Sequence, residues 1–139
     1  MPGLNYPVLK ITKKFIRGSI SSPKELLVVG EKNFVHGCFD NACIIDASGC
    51  KYRVLSAEKG RRTCSLFNLF KKYRTIWVCV KLSEPEKYNV DRLREQVLGL
   101  LCSHPGWYKH YGETEDSLRS KFSGARTVKE LINSISIYP

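Results

Sequence analysis

Cys43-Ile44-Ile45-Asp46-Ala47-Ser48-Gly49-Cys50-Lys51-Tyr52-Arg53-Val54-Leu55 reads as strand, tight turn and strand. Apolar, β-branched residues lead in. Asp, Ser and Gly supply the short polar side chains and backbone freedom of a turn, and alternation resumes after Gly49. Tyr52 and Val54 are expected to face inward, Lys51 and Arg53 outward. A hairpin here makes the surrounding sheet antiparallel.

Upstream, apolar positions at Leu9 and Ile11, continued by Lys13, predict an early strand after Pro7, with Lys10 and Lys14 on its solvent face. Ser22-Pro23-Lys24-Glu25 places Ser at an N-cap, Pro at N1 and Glu at N3, a capping box. A short helix from Pro23 to about Val29 should follow, ended by Gly30 in the left-handed conformation. Asp40-Asn41 marks a turn ahead of the hairpin.

Downstream, residues 56–65, with Lys59, Gly60, Arg61 and Arg62, lack apolar periodicity and read as an exposed basic loop. Residues 75–82 are apolar on both faces, the mark of a central strand, and residues 67–73 are a candidate partner for it. The character changes at Ser83-Glu84-Pro85-Glu86. Asn89 can cap a helix with Val90, Leu93, Val97 and Leu101 on one face, ending before His104-Pro105-Gly106. Thr114 opens another, with Leu118 and Phe122 an i, i+4 pair and Gly124 as its stop. Thr127-Val128-Lys129-Glu130 is a second capping box, leading into Leu131, Ile132 and Ile135.

This order predicts an α+β fold: an antiparallel sheet with a short N-terminal helix and a helical C-terminal third packed on one face. The 139 residues suit a single domain, with residues 1–82 mostly strands and 83–139 mostly helices. The start, Met1-Pro2-Gly3-Leu4-Asn5, has no leader-like apolar region, and no stretch approaches about 18 apolar residues. A cytoplasmic protein is expected. The six cysteines include no Cys-x-x-Cys pair and no Cys/His cluster with zinc spacing, so no metal or cofactor is expected. Free, mostly buried thiols are the expectation, with Cys79 and Cys102 in apolar surroundings.

The net charge of +10 is uneven. Residues 1–81 carry 15 Lys and Arg against 5 Asp and Glu, whereas residues 82–139 carry 8 of each. Such a field implies an anionic partner. Its cations fall at Lys13-Lys14 with Arg17, at Lys51 and Arg53, at Lys59 with Arg61-Arg62, and at Lys71-Lys72 with Arg74. Brought together, they would bind nucleic-acid phosphates or an acidic protein. Lys51, Arg53, Arg61, Arg62, Lys71, Lys72 and Arg74 are the partner-binding candidates.

Catalytic readings are thinner. His104, Lys109 and His110 flank the aromatic run Trp107-Tyr108, and paired histidines with a lysine are the groups of a ribonuclease-type site. The segment sits in the neutral third without a carboxylate spaced to orient either ring, so an aromatic loop packed on the sheet or used as an interface is the simpler reading. His36 and Cys38 would share one face of a strand, but no third group accompanies them. An RNA-binding module would stack bases on Tyr52, Tyr73 or Trp77 if these are exposed. No Gly-rich phosphate loop, Gly-x-Ser-x-Gly elbow or His-Glu-x-x-His helix is present.

Tyr6-Pro7-Val8-Leu9-Lys10-Ile11, Ser22-Pro23-Lys24-Glu25-Leu26, Phe39-Asp40-Asn41 with Ile44-Ile45-Asp46, and Gly49-Cys50-Lys51-Tyr52-Arg53-Val54 together resemble small bacterial immunity proteins. These accompany the toxins of contact-dependent growth inhibition and related polymorphic toxin systems. The resemblance covers roughly the first 55 residues and the helical tail, and rests on overall pattern. It implies a non-enzymatic cytoplasmic protein that binds and blocks one cognate toxin, and it supplies no catalytic residues. Many immunity proteins that neutralise basic nucleases are acidic; this chain is basic, so its toxin would present an acidic surface.

Overall fold

The computed structural model describes residues 3–63 and 74–138. The strand expected at 67–73 therefore lies outside the described residues, as do Cys64, Lys71, Lys72 and Tyr73. The elements run β1 (Val8–Ile11), β2 (Ile16–Ile20), α1 (Pro23–Leu27), β3 (Val28–Gly30), α2 (Glu31–Val35), β4 (Cys43–Ile45) and β5 (Cys50–Arg62). After these come β6 (Thr75–Leu82), β7 (Glu86–Lys87), α3 (Val90–Cys102), α4 (Pro105–Lys109), α5 (Glu115–Ser123), α6 (Val128–Ser134) and β8 (Ile137–Tyr138). The fold is α+β. All strand pairings are antiparallel, in the order β3-β6-β5-β4-β1-β2-β8, with β7 paired to the start of β5.

The hairpin at the centre forms as its residues dictate, with Ile45 opposite Lys51 and Cys43 opposite Arg53. Its turn is organised by Asp46, whose carboxylate is buried and fully engaged. Oδ1 accepts from Ser48 N at 3.0 Å, Ser48 Oγ at 2.6 Å and Cys50 N at 3.1 Å, and Oδ2 accepts from Asn5 N at 3.1 Å. Gly49 closes the turn at φ +88°, a conformation L side chains rarely adopt.

Capping residues start the helices where the spacing indicates, but the reciprocal capping box closes at Thr114 and Ser117. Glu25 and Glu130 instead reach back to Ser21 N and Arg126 N, one residue before the caps of the expected boxes. Asn89 Oδ1 accepts from Arg92 N at 2.8 Å at the head of α3, and Thr114 and Ser117 exchange bonds of 3.1 and 2.8 Å at the head of α5. Thr127 Oγ1 accepts from Glu130 N at 3.1 Å, while the Glu130 carboxylate accepts from Arg126 N at 2.7 Å. Ser22 Oγ accepts from Glu25 N at 3.2 Å, and the Glu25 carboxylate reaches Ser21 N and Oγ. Helix α1 is shorter than expected, because Val28 turns extended and the chain enters β3. Gly30 is accordingly no left-handed stop: at φ −61° it is the N-cap of α2.

Both faces of the sheet are covered. The helical C-terminal third packs on one face, where Leu93, Val97, Leu101, Leu118, Phe122, Leu131 and Ile132 meet Leu9, Ile11, Ile16 and Ile45. On the other face Leu26 and Leu27 of α1 and Phe39 meet Val8, Ile20, Ile44, Ile76 and Val78. Strand β1 is therefore buried along its whole length, and this corrects the expectation for Lys10. With no solvent face to its strand, Lys10 is only 5% exposed.

Further corrections follow from strand pairing. Residues 56–62 are no loop, since β5 continues through Arg62 and pairs with β6 from Val54 to Arg62. Polar side chains hide the apolar periodicity there, yet the ladder forms on backbone groups alone. Strand β6 lies between β3 and β5 as an interior strand, but Cys79 is exposed rather than buried, the described residues leaving that part of its outer face uncovered. The segment after His104 is not a plain loop: Pro105 opens the one-turn helix α4.

A basic strand edge and a cation-lined cavity

The basic residues divide among three places rather than forming one patch. Lys51 and Arg53 lie opposite Ile45 and Cys43, on the side of the C-terminal helices. Lys51 Nζ is 3.3 Å from Tyr88 Oη, and the Arg92 guanidinium stands 3.9 Å from the same ring. Lys59 and Arg62 gather around Glu31 of α2, Lys59 in a direct ion pair and Arg62 at 4.0 Å. The Arg74 carbonyl accepts from Glu31 N at 2.9 Å. The Lys59 hydrogen bond, assisted by the charges of Arg62 and Arg74, holds the Glu31 carboxyl below its usual range. Arg61 is exposed, and Lys71 and Lys72 lie outside the described residues.

Strand β5 has an unusual edge. Strand β4 pairs only with Lys51 to Arg53, while β6 on the other side pairs with Val54 to Arg62. Among the described residues no strand covers the β4-side edge of β5 beyond Leu55. The ladder slips between Val54 opposite Leu82 and Ser56 opposite Lys81, a bulge that turns Leu55 outward to 57% exposure. Beside Leu55 lies a groove of about 300 Å³ lined by Phe34, Phe39, Asp40 and Asn41. Arg53, Lys59, Arg61 and Arg62 are exposed along the same strand.

The third group lies where β1, β2, α1 and the turn after α2 enclose a cavity of about 580 Å³. Lys10 and Arg17 are cross-strand partners and line it together. The β1–β2 turn, in which Thr12 Oγ1 accepts from Lys14 N at 3.2 Å and Phe15 N at 3.1 Å, places the exposed Lys13 and Lys14 at its mouth. Ile20, Leu26, Val28 and Val29 form apolar wall, while Glu25, His36, Cys38 and Asp40 complete the lining. Lys10 Nζ stands 3.5 Å from the Phe39 ring centroid, a cation–π contact. Burial lowers the Lys10 pKa to about 8, with the Arg17 charge acting in the same direction and Cys38 against it. Burial raises the Cys38 thiol, against the pull of Lys10.

His36 and Cys38 do not share a strand. His36 caps the C-terminus of α2 and Cys38 follows Gly37 in a turn, because Gly37 at φ +81° reverses the chain. Nor are His104 and His110 arranged as neighbours. They bracket α4, His104 stacked on Trp107 at 4.1 Å between centroids and His110 edge-on to Tyr111. His104 Nδ1 lies 3.0 Å from the Leu100 carbonyl and 2.9 Å from Ser103 Oγ, and Lys109 is exposed. As for base stacking, Tyr52 is buried and Trp77 packs on the α1-side core, which leaves neither ring presented as a platform. Among the described residues no cluster of three or more His, Cys, Asp or Glu is placed to hold a metal ion, and no helix is long and apolar enough to cross a membrane. The chain matches no protein-family model, no curated protein and no solved structure.

Proposed function

We propose that this chain is a non-enzymatic immunity-type protein of the bacterial cytoplasm, which binds and neutralises a cognate toxin domain through a basic surface. The observation that carries the reading is the edge of β5 beyond Leu55, which no strand among the described residues covers. An exposed strand edge is a template for a strand from another chain, and its backbone groups supply affinity whatever the partner's sequence. The bulged Leu55 gives an apolar anchor beside a groove, and Arg53, Lys59, Arg61 and Arg62 give the surrounding charge. An apolar anchor within a cationic rim suits an acidic protein surface better than a run of phosphates, which asks for cations without the apolar centre.

The test starts from the tagged protein, recovered with its partner from its native cell after nuclease treatment and rebuilt from purified components. A stoichiometric complex with an acidic toxin domain is expected. Reversing Arg61 and Arg62 to Glu should slow association about tenfold or more and flatten its dependence on salt, since exposed charges act mainly on encounter. An unchanged association rate removes the β5 edge from the interface. RNA cleavage by the pure chain, lost on His110→Ala, overturns the binding reading in favour of a ribonuclease.

A further inference from the structure

The cavity over β1 and β2 holds two cations for which the described residues supply no bonded counter-charge. Lys10 and Arg17 sit directly opposite each other, so their side chains leave the same face of the sheet, where like charges repel. Neither side chain makes a hydrogen bond or ion pair with a described residue, although, after the Ser21 bonds, the Arg17 charge helps to hold the Glu25 carboxyl below its usual range. The carboxylate nearest in role, Glu25, is held by Ser21 N at 3.0 Å and Ser21 Oγ at 2.8 Å. A buried ammonium needs an anion or a set of acceptors, and the rings near Lys10, Phe39 at 3.5 Å and Phe15 at 5.4 Å, give it π faces but no hydrogen-bond acceptor.

We propose that this cavity is a binding site for a small carboxylate with an apolar body, an aromatic or short aliphatic acid. The carboxylate would lie between Lys10 and Arg17, completing the ammonium's hydrogen bonds and relieving the repulsion between the two cations. The body would lie against Ile20, Leu26, Val28 and Val29. A volume of about 580 Å³ is of the size that takes small ligands, and most such sites combine apolar walls with a few placed polar groups. Lys13 and Lys14 at the mouth draw anions inward. Glu25 and Asp40 in the lining disfavour a second negative charge, which selects a monoanion over a phosphate ester. The site shares the turn at Gly37, Asp40 and Asn41 with the groove beside the β5 edge but opens on different strands, and it does not depend on the immunity reading.

Titration of the full-length protein with sodium benzoate and sodium hexanoate, followed by amide and methyl NMR at constant ionic strength, tests the proposal. Saturable shifts confined to Lys10, Arg17, Leu26, Val29 and Cys38 are expected, absent with the neutral benzamide and much weaker with inorganic phosphate. Lys10→Met should weaken benzoate binding at least about tenfold, and Arg17→Gln should do so comparably, since each removes one charge-assisted hydrogen bond. Met fills the lysine's apolar space, and Arg17→Gln decides the matter if Lys10→Met does not fold. No saturable shift, equal binding of benzamide or phosphate, or undiminished affinity in the folded variants would each overturn the assignment.

Discussion

Lys10 shows what a single buried charge does to a fold. In the unfolded chain its ammonium titrates near 10.5, and in the folded protein burial brings this to about 8. Between those values the unfolded chain holds a proton that the folded one has released, so this group raises stability as pH climbs through the window. Below about pH 8 its penalty is fully present. The charged and titratable groups around it are Lys13 and Lys14 in the β1–β2 turn, Arg17 on β2, Glu25 on α1, and His36, Cys38 and Asp40 at and after the end of α2. Urea unfolding of Lys10→Met against the parent, both carrying Cys38→Ser to silence the coupled thiol, isolates the lysine. The stability advantage of Lys10→Met should shrink by about 3 kcal/mol between about pH 7.5 and 10.5. A constant difference would mean that Lys10 keeps its ordinary pKa and is solvated. The residue was legible in part: three of the four positions in Val8-Leu9-Lys10-Ile11 are apolar, on both faces, the pattern of a strand covered on two sides. Alternation alone sent Lys10 to solvent because it presumes one wet face.

At the scale of elements, the hairpin turn and the start of α3 are locked together through one glycine. A Cβ on Gly49 would come within 2.2 Å of the Tyr88 carbonyl oxygen, and Tyr88 N donates to the Gly49 carbonyl at 2.7 Å. Tyr88 immediately precedes the Asn89 cap, so a side chain at 49 must push the head of α3 off the turn as well as strain its own positive φ. Gly49→Ala should lower unfolding free energy by about 3 kcal/mol in denaturant titration, combining left-handed strain with overpacking. Gly99→Ala, in the exposed interior of α3 with open space around it, should instead raise stability by up to about 1 kcal/mol. Equal effects would refute the close approach at Gly49. Elements with local chemistry were readable: Asn89, Thr114 and Thr127 each announce a helix because a cap satisfies its own amides within one turn. Strands β3, β7 and β8, of two or three residues, were not, since such strands exist only through their partners. The outer half of β5 failed for the same reason. Its polar sequence carries no core signal, and its ladder with β6 is set by the neighbour's apolar residues.

Across the whole molecule, the charge and the core follow different divisions of the chain. Charge separates the N-terminal strands from the C-terminal helices, yet the two apolar clusters are separated by the sheet itself, and β1 and β4 contribute side chains to both. Val8 and Leu9, adjacent in sequence, enter opposite clusters, as do Ile44 and Ile45. Neither layer can lose its packing without exposing the other face of strands they share, so the two should melt together. The chain's two tryptophans allow this to be measured, because Trp77 packs against the α1-side cluster and Trp107 against the helical one. Replacing either by Phe leaves a fluorescence reporter for one layer. Urea midpoints read from Trp77 and from Trp107 should coincide. Adding Leu93→Ala, which opens a cavity in the helical layer alone, should move both by the same amount, equivalent to about 2–5 kcal/mol. If the Trp77 midpoint stays in place while the Trp107 midpoint falls, the layers are independent folding units, and the lopsided charge marks a boundary between two bodies rather than a gradient across one.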